Sequence, residues 1–306
     1  MNENQLRGII PPMITPLLDT NTLDDRGVEN LVEHLIGGGV SGIFILGTTG
    51  EAQHLSSGIK EKLIRKTAAC IGGRIPLLVG ITDAAFHESL KIARIAAAHN
   101  ASAVVAAPPY FFTLGQSELI EYYRALAAKL PLPLYLYNMP SHTKIMIETD
   151  TAKILAQHKN IIGLKDSSAN GVYFCKLLNL FKDYPEFGLF VGPEEMMPAM
   201  ALMGAHGGVS GGANVYPEIF VKVYQAAFAK DVNKTLELQN LMIAISRELY
   251  GIGRFGSSYI KGIKTALALK GICSETLELP FNQFLEKEKE KVKSAVEFLD
   301  NLLINK

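Results

Sequence analysis

Three short runs place side chains capable of covalent or acid–base chemistry in apolar surroundings. In Ile161-Ile162-Gly163-Leu164-Lys165-Asp166 a lysine ends an apolar strand candidate. Period-2 alternation puts Ile161, Gly163 and Lys165 on one face and Ile162 and Leu164 on the other. On an interior face an ammonium is costly unless its charge is paired or lost. Desolvation lowers a lysine pKa, which frees more amine to attack a carbonyl and form a Schiff base. Gly163, two positions below, leaves space for the long stem. The competing reading is a lysine that reaches past the strand end into solvent, as most do.

In Leu134-Tyr135-Leu136-Tyr137-Asn138-Met139-Pro140 the same alternation separates Tyr135 and Tyr137 from the leucines, which suit a face covered by helices. Tyr137 then points inward near the strand end, as a proton carrier or as packing. Gly47-Thr48-Thr49-Gly50-Glu51 offers two adjacent hydroxyls and several backbone N–H groups. It is suited to a small carboxylate, or is an ordinary turn between strand and helix.

The elements that must position these residues alternate along the chain. Strands are expected at Gly8–Ile14, Ser41–Leu46, Pro76–Ile81, Ala103–Ala107, Leu134–Asn138, Ile161–Lys165, Leu189–Gly192 and Gly208–Ser210. Helical patterns lie between them. Asp24 caps the first, whose Leu31, Val32 and Leu35 share a face before Gly37-Gly38-Gly39 ends it, and Ser57 opens the second. Others are expected at Ala84–Ala98, Ser117–Lys129, Thr149–Gln157, Val172–Phe181, Glu195–Met203 and Pro217–Ala229. Eight strands, each followed by a helix, predict an α/β fold, a (β/α)8 TIM barrel, over residues 1–229. An open doubly wound sheet is the alternative, but no G-x-G-x-x-G follows the first strand, where Pro11-Pro12-Met13-Ile14-Thr15-Pro16 stands instead. Residues 230–306 turn purely helical (Thr235–Tyr250, Ser258–Leu269, Asn282–Leu303) with no linker-like composition before them, and read as a C-terminal helical extension packed on the barrel.

The chain has 306 residues, with 30 Lys plus Arg against 30 Asp plus Glu. A net charge of zero gives no field to gather nucleic acid or an anionic membrane, and no apolar run reaches the ~18–20 residues of a spanning helix. Cys70, Cys175 and Cys273 are an odd, widely spaced set, unlike a disulfide framework or zinc knuckle, which favours a reducing, cytoplasmic location. The polar Met1–Gln5 and the prolines that follow leave no signal-peptide core. Gly208-Val209-Ser210-Gly211-Gly212 satisfies G-x-S-x-G, yet no histidine follows Ser210 as a hydrolase of that order requires. His87-Glu88 begins like a zincin pattern but meets Lys91 where the second histidine belongs. No metal site is expected.

Taken in order, Gly47-Thr48-Thr49-Gly50-Glu51, Pro108-Pro109-Tyr110, Tyr137-Asn138-Met139-Pro140 and Gly163-Leu164-Lys165-Asp166 resemble the class I pyruvate aldolases. That family includes dihydrodipicolinate synthase, N-acetylneuraminate lyase and the 2-keto-3-deoxy sugar-acid aldolases. The resemblance runs from Gly8 past Ser210 and continues more faintly through Ile260-Lys261-Gly262-Ile263-Lys264. It implies a barrel with C-terminal helices, a homotetramer, and no cofactor, acting on pyruvate and an aldehyde or 2-oxo acid. Lys165 matches the Schiff-base lysine and Tyr137 the proton-shuttling tyrosine. Thr48 and Thr49 match the residues that relay a proton and bind the pyruvate carboxylate, with Gly47 in the same turn. Val209 falls where a backbone carbonyl faces pyruvate, and Tyr110 counts among the substrate contacts.

Two departures bear on the second substrate. Dihydrodipicolinate synthases usually show Tyr-Tyr after the proline, where this chain has Tyr110-Phe111, and an arginine where it has His142. Histidine lacks the bidentate fork that grips a carboxylate. Gly192-Pro193-Glu194-Glu195 aligns with the Gly-x-Asp-Glu of sialic acid lyases, whose acids hold sugar hydroxyls, although acids also suit a helix start. The expected activity is therefore a lyase that cleaves or forms a 2-keto-3-deoxy sugar acid or related 2-oxo acid. Dihydrodipicolinate synthase is the alternative and N-acetylneuraminate lyase a weaker one. Outside the family stand a serine hydrolase using Ser210 and a non-catalytic 2-oxo-acid-binding barrel.

Overall fold

The computed structural model describes residues 6–304. The reading of Met1–Gln5 as lacking a signal core falls outside them. The strands are β1 (Gly8–Ile9), β2 (Leu17–Asp19), β3 (Thr22–Leu23), β4 (Ile43–Ile45), β5 (Leu77–Gly80), β6 (Ala103–Ala106), β7 (Leu134–Asn138), β8 (Ile161–Asp166), β9 (Gly188–Val191) and β10 (Gly207–Gly208). Eight form one parallel sheet in the order β1-β10-β9-β8-β7-β6-β5-β4. Its two ends meet: Ser41 N donates to the Ile9 carbonyl (2.8 Å), Phe44 N to that of Pro11 (3.0 Å) and Met13 N to that of Phe44 (2.8 Å). The result is a TIM-barrel-like α/β fold.

All eight expected strands recur: five are shorter, Leu134–Asn138 keeps its bounds, β8 runs one residue further to Asp166, and β9 is shifted by one residue. Gly8–Ile14 keeps only Gly8–Ile9 as regular ladder because Pro11 and Pro12 have no N–H to donate, so the seam uses the Pro11 carbonyl, Met13 N and a single bridge between Pro12 and Phe44, while the Pro12 carbonyl accepts from Asn214 Nδ2. The antiparallel pair β2–β3 was not expected. It turns at Asn21, which takes the left-handed conformation (φ 55°) that asparagine tolerates.

Of the two expected caps, one is found. Asp24 accepts from Gly27 N, as expected, whereas the second helix, Ser57–Ile71, is capped by Ser56 and not Ser57. The expected Glu195–Met203 helix is a 3-10 turn, Glu194–Met196, leading into a short α-helix at Met197–Leu202. The last three helices, Val232–Tyr250, Ser258–Leu269 and Glu286–Ile304, pack on one another, and the first of them packs along Pro217–Phe228.

Alternation along the strands divides the buried side chains into two sets. Leu134, Leu136 and Leu164 join the mantle between sheet and helices, while Ile10, Phe44, Leu78, Val105, Tyr135, Tyr137, Phe190 and Val209 fill the barrel interior. The predicted face of β8 needs one correction. Pairing with β7 shifts register after Leu134, matching Leu134 with Ile161 but Tyr135 with Gly163. Ile161 consequently lies in the mantle and Ile162 packs against the interior set, and alternation resumes only at Gly163. Gly163 does not make room for the lysine stem either. A Cβ there would come within 2.4 Å of both the Gly188 carbonyl and the Tyr135 ring, so the space belongs to that ring.

Candidate active site

The C-terminal ends of β4, β7, β8 and β9 and the segment after β10 open into a cavity of about 900 Å³. Gly47, Thr48, Thr49, Tyr110, Tyr137, His142, Lys165, Glu194, Glu195 and Val209, the residues that the aldolase resemblance singled out, line it. Such a site at the C-terminal face of parallel strands is where barrel enzymes carry their chemistry.

At its base Lys165 lies opposite Tyr137 across the β7–β8 ladder and beside Phe190 of β9. Both Lys165 and Tyr137 are buried. The Lys165 Nζ stands 3.9 Å from the centroid of the Tyr137 ring and 5.1 Å from that of Phe44, two faces that attract a cation. Burial pushes the Tyr137 phenol up, but the adjacent Lys165 charge and hydrogen bonds with Thr48, Ser167 and Lys165 outweigh it and hold the phenol below its ordinary value. The Tyr137 hydroxyl lies 3.2 Å from Thr48 Oγ1. Thr49 Oγ1 lies 3.3 Å from the hydroxyl of Tyr259, which comes from the helix Ser258–Leu269.

The turn bearing both threonines is held between two residues in left-handed backbone conformation, Leu46 (φ 58°) and Glu51 (φ 57°). Close packing explains the neighbouring glycine on β5: a Cβ on Gly80 would fall 2.0 Å from the Leu46 carbonyl. The Glu51 carboxylate is held in a fully buried ion pair with Lys264, 2.5 Å from its Nζ.

The far wall is acidic and phenolic. Glu194 is buried, accepting from the Tyr250 hydroxyl (2.6 Å) and from Gly212 N (3.0 Å). Burial pushes its carboxyl up to about 7, against the pull of those two hydrogen bonds and with help from the charge of Glu195. Glu195 is exposed at the rim. His142 is also exposed, 3.0 Å from Ser141 Oγ, and partial burial together with Lys144 holds its imidazole below the ordinary range. Among the described lining residues Lys165 is the lone Lys or Arg.

Several lining residues escaped the sequence reading. Tyr250 and Tyr259 come from the C-terminal helices, where no strand end marks them, and Phe44 underlies Lys165 from β4. Phe111 stands outside the cavity on an exposed tip, packed edge-on against Phe112 with centroids 5.2 Å apart. Ser210 is fully buried and, among the described residues, its Oγ has no hydrogen-bond partner, so it is not presented to a substrate as a hydrolase nucleophile would be. Cys70, Cys175 and Cys273 are free thiols. Among the described residues no helix is long and apolar enough to cross a membrane.

A barrel-like α/β enzyme with a buried lysine and tyrosine at the strand ends is the class that this fold and cavity define. Residues 5–299 match the model of the dihydrodipicolinate synthetase family, and the chain belongs to that family of lyases and aldolases. It is 30% identical over 288 residues, 93% of this chain and 94% of the relative, to the probable 2-dehydro-3-deoxy-D-pentonate aldolase YjhH of Escherichia coli K12. It is 31% identical over 292 residues, 95% and 97% of the two chains, to the 4-hydroxy-tetrahydrodipicolinate synthase of Azoarcus sp. BH72. Among solved structures, dihydrodipicolinate synthase from Bacteroides thetaiotaomicron superposes with a TM-score of 0.94 at 49% identity, covering 97% of this chain and 100% of that one. YagE from E. coli K12, a member of the same family solved in complex with pyruvate, superposes with a TM-score of 0.90 at 26% identity, covering 96% and 98%.

Proposed function

We propose that this protein is a Schiff-base aldolase that reversibly cleaves a 2-keto-3-deoxy sugar acid, or a related 2-oxo acid, into pyruvate and an aldehyde. The observation that carries the reading is Lys165 at the base of the cavity, its Nζ over the ring of a tyrosine whose hydroxyl reaches Thr48. The neutral Lys165 amine adds to the keto carbon, and loss of water leaves an iminium. Tyr137, as phenolate, takes the proton of the C4 hydroxyl while the C3–C4 bond breaks. The bond's electrons flow into the iminium, giving an enamine, and the aldehyde leaves. Protonation at C3 and hydrolysis then release pyruvate and regenerate the amine. A phenol held below its ordinary pKa favours the base form this step needs. Thr48 relays the proton, and Thr49, Gly47 and the carbonyl of Val209 hold the keto acid in line for attack.

The aldehyde is assigned from the rest of the wall. With no Lys or Arg besides Lys165, and with His142 held toward its neutral form, the described lining offers no fixed cation to a second carboxylate. Glu194, Glu195 and Tyr110 suit hydroxyl groups instead. A second reading, dihydrodipicolinate synthase, draws support from the 49% identical Bacteroides structure of that description. By family likeness the enzyme works as a homotetramer in the cytoplasm without a cofactor, and residues 230–306 are an extension of the barrel and not a second domain.

The test is borohydride reduction with pyruvate, followed by peptide mass analysis. A pyruvate-derived mass on the Lys165 peptide supports the imine, and folded protein without an adduct refutes it. Sugar-derived aldehydes and aspartate semialdehyde, offered in turn, then separate the two readings.

A further inference from the structure

The turn Gly47–Glu51 carries both threonines, yet it ends on a residue with a side chain in left-handed backbone conformation (Glu51, φ 57°), a state L-residues leave unless something holds them. What holds Glu51 comes from far along the chain. One carboxylate oxygen lies 2.5 Å from Lys264 Nζ, and the other accepts from the backbone N of Glu278 (2.9 Å). Lys264 in turn donates to the Thr276 carbonyl (2.6 Å). Neither side chain of the pair has any exposed surface. The helix that supplies Lys264 also supplies Tyr259, whose hydroxyl meets Thr49, so one helix grips the turn at two points.

Stability alone is a poor explanation for this arrangement, because a buried ion pair loses in desolvation much of what it gains in attraction, and an apolar pair of similar volume often does as well. An apolar pair cannot, however, aim hydrogen-bonding groups at a particular backbone N–H and carbonyl. We propose that Glu51 and Lys264 are positioning residues: their buried pair fixes the Gly47–Glu51 turn so that Thr48 and Thr49 face the cavity, and thereby sets the affinity for the keto-acid carboxylate. The pair leaves the reactivity of Lys165 itself untouched. This rests on the reading of that turn as the carboxylate site.

The test uses the double variant Glu51→Gln/Lys264→Met, which keeps volume and leaves neither charge stranded. Three quantities are measured: thermal melting, hydrogen exchange of the peptide covering residues 46–55, and borohydride trapping of pyruvate as a function of its concentration. The expected result is a folded protein whose turn amides exchange at least tenfold faster. The pyruvate concentration for half-maximal trapping rises tenfold or more, while trapping at saturation changes less than threefold because Lys165 and Tyr137 sit on other strands. A folded double variant with turn exchange and pyruvate dependence within twofold of the parent overturns the proposal. If the double variant does not fold, Glu51→Asp, which withdraws the carboxylate by one methylene, must show the same split in smaller measure, and unchanged values there are equally fatal. Should the parent protein itself trap no pyruvate, the functional reading falls, and the exchange of the turn alone then decides whether the pair holds it.

Discussion

Replacing Tyr137 with Phe removes one oxygen and keeps the ring under the Lys165 ammonium, so it separates proton transfer from packing. The hydroxyl is buried and its contact with Thr48 is long, 3.2 Å. Losing such a bond costs about 0.5–1.5 kcal/mol, partly offset because a polar group no longer needs burying, and the melting temperature should move by only a few degrees. The kinetic effect should be far larger. A well-placed acid–base group contributes about 10²–10⁴ in rate, which at ~1.36 kcal/mol per decade is about 3–5 kcal/mol of transition-state free energy. That excess of chemistry over stability is the signature to look for. Exchange of the pyruvate methyl protons in D₂O, followed by proton NMR, reports imine–enamine interconversion and requires no knowledge of the aldehyde. We expect Tyr137→Phe to slow this exchange at least a hundredfold while borohydride still labels Lys165. A folded variant that exchanges within threefold of the parent would falsify the proton-shuttle role and return Tyr137 to packing.

Lys165→Ala should abolish both exchange and labelling while circular dichroism and melting stay close to the parent, and any retained turnover would exclude the imine. Glu194, pushed up from 4.5 to about 7, favours its neutral form in the fold, so its contribution is full below about 4.5 and is lost as pH rises through 7. Glu194→Gln, which stays neutral, should gain about 3 kcal/mol on the parent between pH 4.5 and 8, and parallel urea midpoints across that range would refute the assignment. Gly163→Ala should destabilise by several kcal/mol, since its Cβ meets a backbone carbonyl at 2.4 Å, whereas Gly37→Ala, with nothing within 4 Å, should be neutral or gain up to about 1 kcal/mol; equal melting temperatures for the two would show that β8 tolerates the methyl. His142→Arg should not by itself confer appreciable condensation with aspartate semialdehyde, because Phe111 also departs from the synthase pattern, and a vigorous synthase from this one change would mean that the second tyrosine of that pattern is dispensable.

The barrel was legible because each strand is a short apolar run with its own punctuation, and the cavity because strand ends can be counted. Lys165, Tyr137 and the two threonines needed only alternation and order to be brought to one end of the sheet. Alternation failed at Ile161, where the register shift against β7 is a property of two strands together and leaves no mark on either. Tyr250 and Tyr259 were invisible for another reason: helical periodicity shows which face is buried, not which cavity a buried hydroxyl enters. The role of Gly163 was misjudged because the ring that fills its space belongs to a neighbouring strand.

The seam between β1 and β10 sets a timetable. Gly8 N bonds the carbonyl of His206, Ile10 N that of Gly208, and Ile14 N the side chain of Asn214. At ~5–20 residues per second, a ribosome needs roughly 10–40 s to deliver those partners after the first strand emerges. Until then one edge of β1 has its other neighbour, β4, but an open row of polar groups on the far side. Tyr259 and Lys264 arrive later still, so the Gly47–Glu51 turn, made early, waits for nearly the whole chain before it is held. A nascent chain therefore carries Lys165 well before the groups that close the cavity around it, Tyr250 and Tyr259 among them, have been made.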